Sequence, residues 1–145
     1  MTLVENELLL TAKPARVWQT LLDFERYSLW HPYIRLTGEP KLGGTLGFHH
    51  GSPLRRGRQV RNRAVISRLE VNTAFEWQTG VARLFIVAEG FELKSHPSGT
   101  RLRHWLAYQG PIARLLGQAP VDHSSNRLSL TDVALRDYLA KKRRA

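Results

Sequence analysis

Two long segments with alternating apolar and polar residues, 83–94 and 100–110, constrain the fold most strongly. They flank Ser95-His96-Pro97-Ser98-Gly99, a sequence typical of a hairpin loop. Because alternate residues of a strand point to opposite faces of a sheet, a shift of one residue would exchange the faces of a whole strand. The pattern therefore predicts an antiparallel hairpin with one apolar and one polar face.

The register that best separates these faces pairs Leu93 with Thr100. A mainly apolar face then pairs Phe91 with Leu102, Glu89 with His104, Val87 with Leu106 and Phe85 with Tyr108. The opposite face pairs Glu92 with Arg101, Gly90 with Arg103 and Ala88 with Trp105. This register predicts a cross-strand ion pair on the outer face and an apolar face turned toward the core.

Glu89 and His104 are ionisable residues on a face that is otherwise apolar apart from the Tyr108 phenol. A buried carboxylate or imidazole is costly without a partner, and these two side chains can share a hydrogen bond. Three interpretations stay open. The two residues form a satisfied polar pair within the sheet, a polar anchor in a ligand cavity, or a catalytic acid and base.

The rest of the chain predicts helices at the two ends of a series of strands. The first helix is expected from about Thr11, with Pro14 in its first turn, where a missing N–H costs little. The predicted strands are residues 3–11, 33–37, 45–50, 58–70, 74–79, 83–94 and 100–110. The predicted helices are 11–22, 23–29 and 120–142, and a turn with a short helix is predicted within 110–117. This order is typical of an α+β fold with an antiparallel sheet and helices on one face.

Aromatic residues are frequent on the predicted inner face of the sheet, for example Phe75 and Trp77 on one strand. One helix cannot easily fill such a concave surface, so either aromatic rings fill it or an apolar cavity remains. The candidate ligand-binding residues are Trp30, Phe48, Asn62, Ile66, Trp77, Phe85, Val87, Glu89, Phe91, His104, Leu106, Tyr108, Leu135 and Tyr138. The last helix is expected to turn Val121, Leu128, Leu135 and Leu139 toward this face.

The chain has 145 residues, with 22 Lys and Arg against 12 Asp and Glu, so its net charge is 22 − 12 = +10. Most of this excess falls in a basic strip and in the C-terminal tail. The basic strip comprises Arg55, Arg56, Arg58, Arg61 and Arg63, and the tail comprises Lys141, Lys142, Arg143 and Arg144. No aromatic interleaving or nucleic-acid motif accompanies the basic strip, so we expect no dedicated nucleic-acid binding.

Several classes of protein are excluded by what the sequence lacks. With no cysteine, the chain cannot form disulfides, a thiol nucleophile or a Cys-ligated zinc site. No metal-binding histidine spacing and no nucleotide-binding glycine motif occurs, so no metal and no cofactor are expected. Asp122 or Ser124 is expected to cap the last helix rather than to form a catalytic triad with His123. There is no membrane span and no signal peptide, which predicts a cytoplasmic protein.

The order and spacing of several short motifs over about residues 3–140 resemble one known superfamily. These motifs are Pro14-Ala15-Arg16-Val17-Trp18, Leu21-Leu22-Asp23-Phe24, Trp30-His31-Pro32, Gly43-Gly44-Thr45-Leu46, Phe75-Glu76-Trp77, Phe91-Glu92-Leu93, Gly99-Thr100-Arg101-Leu102-Arg103-His104 and Tyr108-Gln109-Gly110-Pro111. The sequence resembles the SRPBCC or START-like superfamily, whose Bet v 1-like members have the helix-grip fold, and within it the bacterial polyketide cyclase/dehydrase-like group.

The resemblance implies one START-like domain over residues 1–145, with a curved seven-stranded antiparallel sheet wrapped around a long C-terminal helix. Two short helices follow the first strand and close one end of the groove. The resemblance also implies an internal cavity for a hydrophobic small molecule such as a lipid, a polyketide or an aromatic compound. Because carriers and cyclases share this fold, the fold alone does not choose between them.

Three hypotheses about function follow. The first is the binding of a hydrophobic small molecule between the sheet and the last helix. The second is a polyketide cyclase/dehydrase-like enzyme in which Glu89 and His104 transfer protons. The third is binding to an anionic surface or to nucleic acid through the basic strip. The oligomeric state, including a homodimer, is left open.

Overall fold

A computed structural model of the chain describes residues 2–50, 60–81, 83–117 and 119–144. The strands are β1 (Thr2–Leu10), β2 (Ile34–Thr37), β3 (Thr45–His50), β4 (Val60–Glu70), β5 (Ala74–Val81), β6 (Phe85–His96) and β7 (Gly99–Gln109). The helices are α1 (Pro14–Leu22), a 3₁₀ helix (Phe24–Leu29), α2 (Pro111–Leu116) and α3 (Ala119–Arg144). The strands form one antiparallel sheet in the order β1-β7-β6-β5-β4-β3-β2, which confirms the predicted α+β class.

The helices after β1 begin and end close to the predicted positions. Pro14 is the first residue of α1, and Lys13 before it is extended, so the cap lies later than the predicted Thr11 or Ala12. Val17 and Leu21 of α1 are fully buried. The 3₁₀ helix that follows contributes Tyr27, whose hydroxyl donates a 2.5 Å hydrogen bond to the Leu21 carbonyl oxygen and joins the two helices.

The predicted register of the β6–β7 hairpin is wrong by two residues. Strand β6 extends to His96 and β7 begins at Gly99, so the turn is only Pro97-Ser98. Each residue of β6 therefore pairs with the β7 residue two positions beyond its predicted partner. The observed pairs are Leu93 with Leu102, Phe91 with His104, Glu89 with Leu106 and Val87 with Tyr108. Because the error is an even number of residues, each side chain keeps its predicted face.

Glycine at position 99 permits this tight hairpin. Gly99 has φ +142°, a backbone conformation that L side chains rarely adopt. A Cβ atom there would come within 2.1 Å of the Leu10 carbonyl oxygen, because the end of β1 pairs with the start of β7 at this point. The loop motif recognised in the sequence thus marked the turn correctly but suggested a longer loop.

The ion pair predicted between Glu92 and Arg101 is also wrong, for the same reason. Glu92 lies opposite Arg103 and contacts the Arg68 guanidinium at 3.6 Å. Arg103 instead donates a 2.6 Å hydrogen bond to the Glu5 carboxylate on β1, and Arg101 is 4.0 Å from Glu7. These exposed pairs lie on the outer face, where solvent keeps their contribution to stability small.

The main core lies between the inner face of the sheet and the helices. Its largest fully buried side chains include Trp77, Tyr27, Phe75 and Phe91, and α3 adds Leu135 and Leu139. Leu128 is buried as predicted, whereas the side chain of Val121 lies outside the described residues. Within β4, Ala64 and Ile66 are buried while Arg63 and Val65 are exposed, so the strand alternates between the core and solvent here.

Most of the basic strip lies outside the described part of the chain. Arg55, Arg56 and Arg58 fall there, as does the side chain of Arg61, while Arg63 is exposed on β4. Binding to an anionic surface or to nucleic acid through the strip therefore stays a prediction. In the part of the chain that the structure describes, no helix is both long and apolar enough to cross a bilayer.

A small second hydrophobic cluster lies on the outer face of the sheet. Trp105 lies over Gly90 and packs with Ala88 and Ala107. Its indole nitrogen donates a 3.2 Å hydrogen bond to Glu76, and the Arg103 guanidinium lies 4.8 Å from its ring centroid. A Cβ atom on residue 90 would fall 2.2 Å from the indole carbon Cζ2.

We expect Gly90→Ala to lower the free energy of unfolding by about 1–3 kcal/mol, because the indole ring must move. In a Trp105→Ala background the same change should be neutral or slightly stabilising, because Ala loses less backbone entropy than Gly when the chain folds. Urea unfolding of the four proteins of this double-mutant cycle measures the difference. Equal effects in both backgrounds would show that the indole does not restrict residue 90.

Candidate functional site

A cavity of about 210 Å³ lies between the inner face of the sheet and α3. Strands β5, β6 and β7 supply one wall, α3 supplies the opposite wall, and the segment after the 3₁₀ helix closes a side. Its apolar lining residues are Ile34, Phe48, Trp77, Val87, Leu106 and Leu128. Its polar lining residues are His31, Tyr33, Thr79, Glu89, His104, Tyr108, Ser124, Arg127 and Thr131.

Half of the candidate ligand-binding residues line this cavity. They are Phe48, Trp77, Val87, Glu89, His104, Leu106 and Tyr108. They share the inner face of β3 and of the three strands β5–β7, which is the face that the alternation pattern selected. Their contact with a ligand stays a prediction.

The other candidates do not line the cavity. Ile66, Phe91 and Leu135 are buried in the core beneath or beside it, and Tyr138 packs against that core. Phe85 stacks on Tyr108 with ring centroids 6.1 Å apart.

Two further candidates for ligand binding also lie away from the cavity. Trp30 is buried in the core, with its ring centroid 4.9 Å from that of Tyr27. Asn62 is exposed near the start of β4, and its Oδ1 accepts a 2.8 Å hydrogen bond from the Arg63 backbone.

The centre of the site is a buried imidazole held between two carboxylates. His104 Nε2 lies 2.9 Å from Glu89 Oε2, and His104 Nδ1 lies 2.7 Å from Asp132 Oδ1. The predicted contact between Glu89 and His104 therefore exists, although the two residues are diagonal neighbours and not a direct pair. One face of the imidazole ring stacks on Phe91, with the two ring centroids 4.2 Å apart.

The charge on this imidazole follows from its two partners. Burial favours the neutral ring, but Asp132 and Glu89 outweigh burial and raise the pKa of His104 from 6.5 to about 9. At neutral pH the ring is therefore an imidazolium that donates both N–H groups to carboxylates.

Asp132 is the member of this buried polar group that the sequence analysis did not identify. It is fully buried on α3, and its Oδ2 accepts a 2.7 Å hydrogen bond from the side chain of Asn6 on β1. A signal was present, because Asp132 falls on the same helix face as Leu128 and Leu135, at spacings of four and three residues. An acidic residue within an apolar stripe indicates a buried partner.

Polar groups on the far side of the cavity come from α3 and from the segment after the 3₁₀ helix. Ser124 is buried in α3 and hydrogen bonds to the Tyr108 hydroxyl, so it does not cap the helix as predicted. Arg127 lies one turn further, with its Cζ atom 4.4 Å from the ring centroid of Tyr33. His31 is almost fully buried, and its Nδ1 accepts hydrogen bonds from two backbone N–H groups.

The raised pKa of His104 predicts a specific pH dependence of stability. The protonated ring stabilises the folded state fully below pH 6.5, and this contribution is lost as the pH rises through about 9. The loss amounts to at most about 3 kcal/mol. Urea unfolding of the wild type and of His104→Gln at pH 6.5 and 9.5 measures it, because the variant lacks this titration.

A companion measurement assigns the shift to its cause. Asp132→Asn should lower the pKa of His104, followed by the ring proton signals in an NMR titration. Glu7→Gln removes an exposed carboxylate on the outer face and should leave that pKa unchanged. A His104 pKa that is insensitive to Asp132→Asn would contradict the imidazolium between two carboxylates.

Solved structures with similar folds cover nearly the whole chain. SA2116 from Staphylococcus aureus, described as a protein of unknown function, has a TM-score of 0.78 at 12% identity, covering 99% of this chain and 96% of that one. NE0264 from Nitrosomonas europaea has a TM-score of 0.76 at 18% identity, with coverages of 97% and 95%. DynU16, a protein in the dynemicin biosynthetic locus, has a TM-score of 0.71 at 15% identity and covers 95% of this chain and 47% of that one. Such similarities confirm the helix-grip fold.

Sequence similarity identifies the family of the chain. No curated protein sequence matches the chain significantly. Residues 1–126 match the family described as polyketide cyclase / dehydrase and lipid transport, which confirms the resemblance drawn from the short motifs. The chain belongs to this polyketide cyclase / dehydrase and lipid transport family.

Proposed function

We propose that the protein binds one small hydrophobic molecule in the cavity between the sheet and α3. The observation that carries this proposal is the space of about 210 Å³ between the sheet and α3, with apolar walls and converging polar groups. Such a combination is typical of small-molecule sites, because apolar walls provide affinity and polar groups provide orientation. The family description, which covers both ligand processing and lipid transport, supports the same class of function.

The volume limits the size of the ligand. An apolar cavity of about 150 Å³ holds one benzene molecule, whereas sites for drug-sized ligands begin at about 300 Å³. A space of 210 Å³ therefore suits a molecule of one or two rings. A four-ring polyketide or a two-chain lipid needs a wider cavity, and hence a movement of α3 or of the segment before β2.

Filling the cavity should abolish binding without unfolding the protein. Val87 lines the cavity from β6, so Val87→Trp places an indole in the space that the ligand needs. Val65→Trp is the matched control, because Val65 is 44% exposed on β4. Isothermal titration with indole and naphthalene should show binding to the wild type and the control only. Unchanged binding to Val87→Trp would place the ligand elsewhere.

A second candidate function is enzymatic proton abstraction, and the chain of Glu89, His104 and Asp132 favours it. Glu89 is the member that lines the cavity and keeps 9% of its side chain exposed, whereas Asp132 is fully buried. Because both N–H groups of the imidazolium are donated to carboxylates, His104 cannot accept a proton at neutral pH. Glu89 is therefore the candidate base, and His104 is a positioning residue.

Exchange of a ketone α-hydrogen for deuterium measures this activity without a known substrate. Phenylacetone in D₂O loses its α-hydrogens slowly in buffer, and the wild type should accelerate the loss, as followed by NMR. Glu89→Gln should abolish the acceleration, because an amide cannot accept the proton. The exposed Glu5→Gln should leave it intact. An active Glu89→Gln protein would remove Glu89 as the base.

A further inference from the structure

We infer that the ligand of the cavity is an organic acid whose carboxylate is held by Arg127, with its ring system on the apolar walls. This inference rests on the proposed binding function and names the chemical class of the ligand. Its basis is the distribution of charge around the cavity. The cationic ring of His104 is hydrogen bonded to two carboxylates, whereas no carboxylate of the described residues forms an ion pair with Arg127.

His104 cannot be the anion site, although it is positively charged. Its two N–H groups lie 2.9 and 2.7 Å from the carboxylates of Glu89 and Asp132, so no donor remains for a ligand. Glu89, the member of this group that lines the cavity, offers acceptor oxygens and no donor to a ligand carboxylate. A ligand carboxylate therefore has to sit away from Glu89, at the end of the cavity that α3 forms.

Arg127 supplies the matching charge at that end. It is half-buried, lines the cavity and lies over the ring of Tyr33. Within the described residues no carboxylate lies within ion-pair distance of it. Burial lowers the pKa of its guanidinium and outweighs the more distant Glu89 carboxylate, which raises it. A half-buried guanidinium without an ion-pair partner has lost part of its hydration and gains most from an incoming anion.

Neighbouring donors complete an anion subsite. Ser124 precedes Arg127 by three residues on α3 and therefore lies on the same face of the helix. The hydroxyl groups of Ser124 and Tyr108 are hydrogen bonded to each other and line the cavity. A carboxylate beside Arg127 can accept bonds from the planar guanidinium fork and from one of these hydroxyls. The apolar side chains of Leu106 and Leu128 then face the ring system.

The test compares three probes of equal ring size by isothermal titration: 2-naphthoate, 2-naphthamide and naphthalene. The wild type should bind 2-naphthoate about tenfold more tightly than 2-naphthamide, or more, because the pair with Arg127 is charge-assisted. Arg127→Gln should remove this preference, and Arg127→Lys should restore part of it. Arg136→Gln is the matched control on the same helix, since Arg136 is exposed and contacts only Asp137.

The outcomes separate this inference from the function on which it rests. Binding of all three probes with equal affinity would overturn the acid preference and leave hydrophobic binding intact. A preference that persists in Arg127→Gln would place the carboxylate at another residue and overturn the subsite. Failure of all three probes to bind would overturn the proposed binding of a one- or two-ring ligand.

An exposed apolar patch at one end of the sheet carries a second, independent inference. Helix α2 turns its large apolar side chains outward, with Ile112 41%, Leu115 85% and Leu116 44% exposed, while its small Ala113 is buried. This is the reverse of the usual arrangement, in which the apolar side of a surface helix faces the core. Such an exposed apolar helix face is typical of a surface that contacts a membrane or another protein.

The patch extends beyond α2. Val81 is 61% and Leu84 49% exposed at the end of the β5–β6 hairpin. The backbone N–H of Ile112 donates a 3.2 Å hydrogen bond to the Leu84 carbonyl oxygen, so the hairpin end and α2 are in direct contact. We call these five residues (Val81, Leu84, Ile112, Leu115 and Leu116) the apolar patch. Thr79 and Val87, which line the cavity, pair only two positions from this hairpin end.

Charge identifies the partner. Arg83 and Arg114 are exposed within the apolar patch, and the sequence segments 77–88 and 105–121 that form it contain no acidic residue. Exposed apolar side chains beside two basic ones, with no acidic residue in the same segments, suit the surface of a bilayer that contains anionic lipids. We propose that the apolar patch docks on such a membrane surface, which brings the cavity end of the fold close to the lipid.

Sedimentation with vesicles tests this docking. The protein should pellet with vesicles of phosphatidylcholine and phosphatidylglycerol, and much less with phosphatidylcholine alone. The double variant Leu115→Ser, Leu116→Ser should lose most of this binding. Val71→Ser is the control, because Val71 is 74% exposed at the β4–β5 turn. Binding that survives the double variant would overturn the proposal, as would a dimer in solution that the same variant dissociates, since a second copy would then cover the patch.

Discussion

The protonated His104, held between Glu89 and Asp132, is the interaction on which the inner architecture depends. It connects β6, β7 and α3 through two hydrogen bonds, and Asn6 extends the connection to β1. Any one of these charges alone would be costly in the core, because a buried ion needs a partner. Together they fix the position of α3 above the sheet, and so they also determine the space that remains between the two.

This arrangement places a carboxylate and a guanidinium on facing walls of the cavity. Glu89 lines it from β6 beside the His104 imidazolium, and Arg127 lines it from α3 and lies over the ring of Tyr33. The walls between them are apolar. In the proposed binding mode, a symmetric hydrocarbon would use only the apolar walls, whereas a ligand with an acidic group would use both the walls and Arg127. Arg127 would then determine the orientation of the ligand as well as its class.

The sequence predicted the faces of the sheet better than the contacts across it. Alternation in the β6–β7 hairpin assigned Glu89 and His104 to the inner face correctly, because the period of a strand is two whatever its register. The register itself depended on the length of the turn at Pro97-Ser98, which composition does not determine. Asp132 was missed because its role needs the docking of α3 on β7, a contact that no local pattern specifies.

The same distinction explains what could be predicted about the chemistry. A carboxylate and an imidazole on one apolar face suggested two proton-transfer groups of equal standing. The second carboxylate changes that interpretation, because it raises the pKa of His104 and leaves the ring without a free lone pair at neutral pH. Only Glu89 then combines a carboxylate with access to the cavity. The number of partners around an ionisable group, which tertiary structure sets, therefore decides which member of a polar cluster can react with a ligand.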